Sequence, residues 1–173
     1  MVKMRIFINI AVIFLSVVIV SCVKIKTMPP EPSISYISFE VFDTVDILGN
    51  EAQGGRLKFS FEDGDGDLGL DPPETGEEAD SVNLFFTLYR KTNGIMSPAP
   101  EDDPLRPLDY RIPLMDRQGQ NKLLKGTISV TFMYLFYLES DTIKYDFFVK
   151  DRAGNVSNTA STNEIPLAAN GIY

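Results

Sequence analysis

The sequence predicts an all-β fold, an antiparallel β-sandwich of about seven strands. Apolar and polar residues alternate along nearly every apolar segment after residue 33, which is the pattern of half-buried strands. Asp, Gly, Pro and Asn cluster between these segments, as turns require. No segment repeats its apolar residues at helical spacing over about three turns. The region from residue 34 to residue 173 is therefore expected to fold as two packed sheets.

Each predicted strand is marked by apolar residues at every second position, which places them on one face. In chain order these residues are Ile37, Phe39 and Val41; Leu57, Phe59 and Phe61; Val82, Leu84, Phe86 and Leu88; Tyr110 and Ile112; Ile128, Val130, Phe132 and Tyr134; Ile143, Tyr145, Phe147 and Val149; and a last segment over 159–167. Met133–Leu138 is apolar on both faces, and we interpret it as a central strand or a loop buried in the core. The alternative is an exposed aromatic surface for a partner or glycan. Ser97–Pro107 is interpreted as a surface loop.

Residues 1–21 have the pattern of a secretory signal peptide. Lys3 and Arg5 lie in a short basic stretch, and an apolar run follows from Ile6 to Val20. This run is shorter than the roughly 20 residues that a membrane-spanning helix needs. A cleaved signal is therefore favoured over a permanent span.

The segment Ile19–Cys22 reads Ile-Val-Ser-Cys and resembles the lipobox of bacterial lipoproteins, in which an aliphatic residue and a small residue stand just before a cysteine. Cys22 is the sole cysteine of the chain. The resemblance implies cleavage before Cys22, a diacylglyceryl thioether on its sulfur and a further acyl chain, commonly palmitate, on its new amino terminus. Two or more acyl chains give stable membrane anchoring. The alternative is an ordinary signal with an incidental cysteine.

Residues 22–33 are predicted to be a lipidated tether, because Pro29, Pro30 and Pro32 favour an extended chain and prevent a helix. The resemblance places the protein in the bacterial cell envelope, on the outer membrane. Lys24 and Lys26 stand where some surface-exported lipoproteins carry an acidic run, which favours the periplasmic face. Residues 34–173 are predicted to form the β-sandwich domain.

The composition excludes several functions. Residues 22–173 hold all 24 acidic residues against 14 basic ones, a formal net charge of −10 that disfavours nucleic acid. The chain has no His, which excludes His-dependent triads and His-ligated zinc. It also has no Trp, the best platform for stacking on sugars or cations.

A turn after the predicted strand at 143–149 gives the best local indication of the sandwich type. Asp151, Ala153, Gly154 and Asn155 form an Asp-x-Ala-Gly-Asn pattern. It resembles the last hairpin of bacterial immunoglobulin-like and fibronectin-III-like domains, and implies an immunoglobulin-like sandwich. Gly154 and Asn155 tolerate a left-handed backbone, and the Asp151 carboxylate can accept hydrogen bonds from nearby amides.

Residues 62–80 contain nine acidic residues and no basic one. Counting from Asp63, acids stand at positions 1, 3, 5, 9 and 12, which is the ligand spacing of EF-hand calcium loops. The candidate metal ligands are therefore Asp63, Asp65, Asp67, Asp71 and Glu74.

The segment departs from an EF-hand in two ways. Leu68 stands where the loop needs glycine, and Pro72 and Pro73 prevent an exiting helix. It looks more like the Asp-Gly-Asp-Gly-Asp loops of exported β-proteins, some of which bind calcium. The alternative is that Asp-Gly repeats simply form turns on a solvated acidic surface.

These features predict a lipid-anchored cell-envelope protein with a binding or structural role, stabilised by calcium and without enzymatic activity. It would contact the membrane through its lipid and an envelope protein or glycan through its domain. The alternative is a carbohydrate-binding or adhesion module. A small carboxylate-based hydrolase is a weaker alternative, because a hydrated acidic loop does not supply the dry pocket that raises the pKa of a catalytic acid.

Overall fold

The computed structural model describes residues 28–72, 81–115 and 122–173. The described residues form nine strands. They are β1 (Ser33–Val45), β2 (Glu51–Asp63), β3 (Leu84–Thr92), β4 (Ile95–Pro98), β5 (Leu124–Tyr134), β6 (Thr142–Val149), β7 (Ala160–Ser161), β8 (Ile165–Pro166) and β9 (Gly171–Ile172). Within these three ranges there is no helix with the length and hydropathy of a membrane span.

The strands form two antiparallel sheets that pack face to face. One sheet has the order β5-β2-β1-β9, and the other has the order β4-β3-β6-β7, with β8 also pairing with β6. The predicted all-β sandwich is therefore confirmed. The immunoglobulin-like arrangement of its strands stays a prediction.

Aromatic side chains fill the core between the sheets. The ring of Phe59 on β2 lies 5.2 Å from that of Phe147 on β6, and Phe86 on β3 meets Phe132 on β5 edge-on at 5.5 Å. Burying such rings is the main favourable term in folding a domain of this size. Tyr145 is fully buried, and its hydroxyl donates to the carbonyl oxygen of Leu105. The core is thus continuous from one sheet to the other.

A β-bulge corrects the prediction for the first strand. Tyr36 pairs with Phe59 and Ser38 pairs with Lys58, which leaves Ile37 as the extra residue. An extra residue reverses which side chains face the core. Ile37 is consequently 47% exposed, and the strand buries Ile34 before the bulge and Phe39 after it. The expectation that Ile37 faces the core was wrong.

The structure also corrects the smaller elements. Tyr110 and Pro113 make only isolated bridges, to Leu84 and Leu70, so the predicted strand at Tyr110–Ile112 is a short edge contact. β4 was not predicted and overlaps the loop expected at Ser97–Pro107. Its hairpin turns at Asn93 and Gly94, which both have positive φ, as the Asn-Gly turn of a two-residue hairpin requires.

The segment Met133–Leu138 does not lie in the core as expected. Tyr134 is buried at the end of β5, where it pairs with Gln53, but the chain then leaves the sheet. Phe136 is 77% exposed and Leu138 is 66% exposed. The expectation of a buried segment was therefore wrong beyond Tyr134, because β5 ends there and the chain continues on the surface.

Candidate metal site

Three carboxylates meet at the end of β2. Asp63 is the last residue of this strand, and Asp65 and Asp67 follow it at alternate positions. One carboxylate oxygen from each residue lies within 4.8 Å of the other two. Asp63 is fully buried, and the other two are partly buried. This carboxylate cluster could hold a metal ion.

The fold of the acid loop, residues 63–70, brings the three side chains together. Leu68 is 1% exposed and belongs to the core, so it fixes the middle of the loop to the sandwich. Its backbone N–H donates to Oδ2 of Asp63 at 2.7 Å. Gly66 and Gly69 take positive φ values of 68° and 102°, a backbone conformation that favours glycine and lets the loop curl. The position that holds glycine in an EF-hand loop is Leu68 here, and its buried side chain attaches the loop to the core.

Two oxygens of the cluster have no hydrogen-bond partner among the described residues. They are Oδ1 of Asp63 and Oδ1 of Asp67, and both atoms are buried. The second oxygen of Asp67 accepts a hydrogen bond from the backbone N–H of Ala153 at 3.1 Å. Buried polar atoms almost always have a partner, and an unpartnered one costs free energy. A cation bound between these oxygens would supply the missing partner.

The raised pKa values of two carboxylates in the cluster also favour a bound cation. Burial raises the pKa of Asp63, and the neighbouring Asp65 raises it further. Burial also raises the pKa of Asp67, with added repulsion from Asp151, Asp65 and Asp63. Without a cation, ionising these carboxylates is therefore unfavourable, because their charges are crowded and partly removed from water. A divalent cation would reverse this effect by compensating the negative charge.

The other predicted ligands lie elsewhere. The side chain of Asp71 is 70% exposed and forms an ion pair with Arg152 at 4.0 Å. Asp71 is not among the carboxylates that the described residues bring into the cluster. Glu74 lies outside the described residues, as does the predicted lipid-attachment residue, Cys22. Of the four predicted ligands that the structure describes, Asp63, Asp65 and Asp67 therefore form the cluster and Asp71 does not.

The predicted turn at Asp151–Asn155 follows β6, in the opposite sheet. Oδ1 of Asp151 accepts a hydrogen bond from the backbone N–H of Asn155 at 2.7 Å, and Oδ2 accepts one from the Asn155 side chain at 2.8 Å. Gly154 has a φ of 91°. Asn155 does not take the left-handed conformation, since Asn93 is the one described non-glycine residue with positive φ. The turn is held mainly by the Asp151 carboxylate.

Sequence reasoning missed that this turn contacts the acid loop. Ala153 and Asp67 are 86 positions apart, and nothing in either segment indicates that they meet. The contact arises because β2 and β6 belong to facing sheets and finish at the same end of the sandwich.

No protein-family model, curated protein or solved structure matches this chain. The fold and the site together define an all-β sandwich with a buried carboxylate cluster that could hold a metal ion.

Proposed function

We propose that the protein is a lipid-anchored β-sandwich of the bacterial cell envelope and that calcium bound by Asp63, Asp65 and Asp67 stabilises it. The observation that carries the calcium site is the Asp63 carboxylate. It is fully buried, its Oδ1 has no hydrogen-bond partner among the described residues, and two further carboxylates face it. A buried charge without a partner is costly unless a counter-charge compensates it. The role of the ion is structural.

The ligand chemistry favours calcium over other divalent ions. The chain has no His, and its one Cys precedes the predicted domain, so the nitrogen and sulfur ligands typical of zinc are missing from residues 34–173. Carboxylate oxygens suit calcium and magnesium. Magnesium demands a near-ideal octahedron and retains its waters, whereas calcium accepts about six to eight oxygens in irregular geometry. An irregular loop with several carboxylates therefore fits calcium better.

The first described residues of the chain lie beside the carboxylate cluster, which supports a lipid anchor close to this site. Met28 and Pro29 pack against the acid loop, where a Cβ on Gly64 would clash with the carbonyl oxygen of Pro29. Met28 lies six positions after Cys22. Six extended residues span about 20 Å. If Cys22 carries the lipid, the carboxylate cluster lies at the membrane-proximal end of the domain, and the exposed Phe136 and Leu138 lie at the distal end.

The calcium site is tested by thermal unfolding of the full chain in detergent, first with EDTA and then with about 2 mM calcium. A site with a dissociation constant near 10⁻⁴ M adds about 1.5 to 2 kcal/mol of stability at this concentration. For a domain of this size the midpoint then rises by about 4–7 °C. Magnesium at the same concentration is expected to give a much smaller rise. An unchanged midpoint with calcium would leave the acid loop as a solvated turn.

The anchor is tested by the chemical state of Cys22. We expect no free thiol in the denatured mature protein, because Cys22 is the sole cysteine and its sulfur would carry diacylglycerol. Maleimide labelling and the mass of the amino-terminal peptide measure this directly. Cys22→Ser should abolish palmitate incorporation, whereas Ser21→Ala, which keeps a small residue before the cysteine, should not. A wild-type protein that reacts with maleimide and has no acyl mass would contradict the anchor.

A further inference from the structure

The acid loop and the turn after β6 are joined by backbone contacts. The N–H of Ala153 donates to Oδ2 of Asp67 at 3.1 Å, and the N–H of Arg152 lies 3.4 Å from the carbonyl oxygen of Asp67. The Arg152 guanidinium donates to the carbonyl oxygen of Gly69 at 3.1 Å. These contacts connect the end of one sheet with the end of the other. The loop and the turn therefore form a single surface around the carboxylate cluster.

Asp151 places a fourth buried carboxylate beside this cluster. The residue is 4% exposed, and the two residues that follow it, Arg152 and Ala153, contact Asp67 through their backbone N–H groups. Arg152, the adjacent base, contacts Gly69 and Asp71 on the outer side of the loop.

We propose that the turn Asp151–Asn155 is the second half of the cation site, with Asp151 acting as an outer-shell carboxylate that raises the affinity for calcium. Both Asp151 oxygens already accept hydrogen bonds from Asn155, so this carboxylate lies outside the direct ligands and acts through its charge. The same hydrogen bonds hold the turn in the shape that directs the Ala153 N–H at Asp67.

This arrangement has a consequence for the whole sandwich. Asp63 ends β2 in one sheet, and Asp151 follows β6 in the other. An ion bound by Asp63, Asp65 and Asp67 would couple the ends of the two sheets through the contacts that Ala153 and Arg152 make with Asp67. Calcium binding is therefore expected to rigidify the turn after β6 as well as the acid loop.

The inference rests on the proposed calcium site, and two variants separate the two ideas. Asp151→Asn removes the charge and keeps one acceptor oxygen for the turn. Asn155→Ala weakens the turn and keeps every carboxylate. In calorimetric titrations of the full chain in detergent, Asp151→Asn is expected to bind calcium about 10- to 100-fold more weakly than wild type. Asn155→Ala is expected to stay near wild type.

The outcomes are distinct. If wild type binds calcium and Asp151→Asn binds it equally well, or if both variants lose affinity equally, the outer-shell role of Asp151 is overturned and the calcium site stands. If wild type does not bind calcium, both proposals fail. Hydrogen exchange gives a readout that does not depend on the variants folding. Calcium should slow exchange of the Ala153 amide in wild type, and an unchanged rate would overturn the inference.

Discussion

Replacing Asp63 by Asn is expected to lower the affinity for calcium by about 100-fold, or about 2.7 kcal/mol. Asn keeps an oxygen that accepts the Leu68 N–H, so the local fold of the loop is preserved. Its NH₂ group then occupies the place of Oδ1 and faces the ion with hydrogens, which cannot bind a cation. Calorimetric titration of the variant measures the loss.

The same substitution should have the opposite effect without metal. Asn removes one charge from a crowded set, so in EDTA the variant is expected to unfold at the same temperature as wild type or higher. The matched control is Asp71→Asn. It removes the carboxylate that directly follows the acid loop, whose side chain is 70% exposed and paired with Arg152. Equal losses of calcium affinity in the two variants would show that general charge, and not the cluster, attracts the ion.

Leu68→Ala should cause a large loss of folding stability without removing any carboxylate of the acid loop. Leu68 is 1% exposed and packs within the core. Removing a buried leucine side chain typically costs about 2–5 kcal/mol, from lost burial and the cavity left behind. Denaturant unfolding in EDTA measures this cost without any contribution from metal.

Leu68 also fixes the position of the carboxylates, since its N–H donates to Asp63. Leu68→Ala is therefore expected to weaken calcium binding although it removes no ligand. Leu114→Ala is a suitable control, because Leu114 is 39% exposed. Its substitution should cost much less than that of Leu68 and leave calcium affinity unchanged. Similar costs at both positions would mean that Leu68 does not anchor the loop.

The alternation of apolar and polar residues predicted most of the strands, because each strand buries one of its two faces in the core. It identified the regular central strands β2 and β6 well, and at β6 all four alternating residues from Ile143 to Val149 are fully buried. It failed at Ile37, because a bulge is a local insertion that leaves the composition of a strand unchanged. The hairpin at Asn93-Gly94 has the Asn-Gly pattern of a two-residue turn, a signal that the alternation of apolar residues does not contain.

The candidate site was predictable only in part. Alternate aspartates in a glycine-rich segment indicated that Asp63, Asp65 and Asp67 would converge, and they do. The spacing of the acidic residues did not reveal that Asp71 forms an ion pair with Arg152 outside the cluster, since this depends on where the turn after β6 lies. The contribution of Asp151 depends on how two sheets pack. Such contacts between distant segments are set by tertiary structure and leave no mark in local spacing.

The most direct test of the calcium site is a crystal structure of the protein grown with a few millimolar calcium, with anomalous data collected at a long wavelength. We expect one strong anomalous peak at about 2.3–2.6 Å from oxygens of Asp63, Asp65 and Asp67, with Asp151 just outside this ligand shell. A map in which water or hydrogen bonds between the carboxylates occupy that position, with no anomalous peak at saturating calcium, would show that the cluster is not a calcium site.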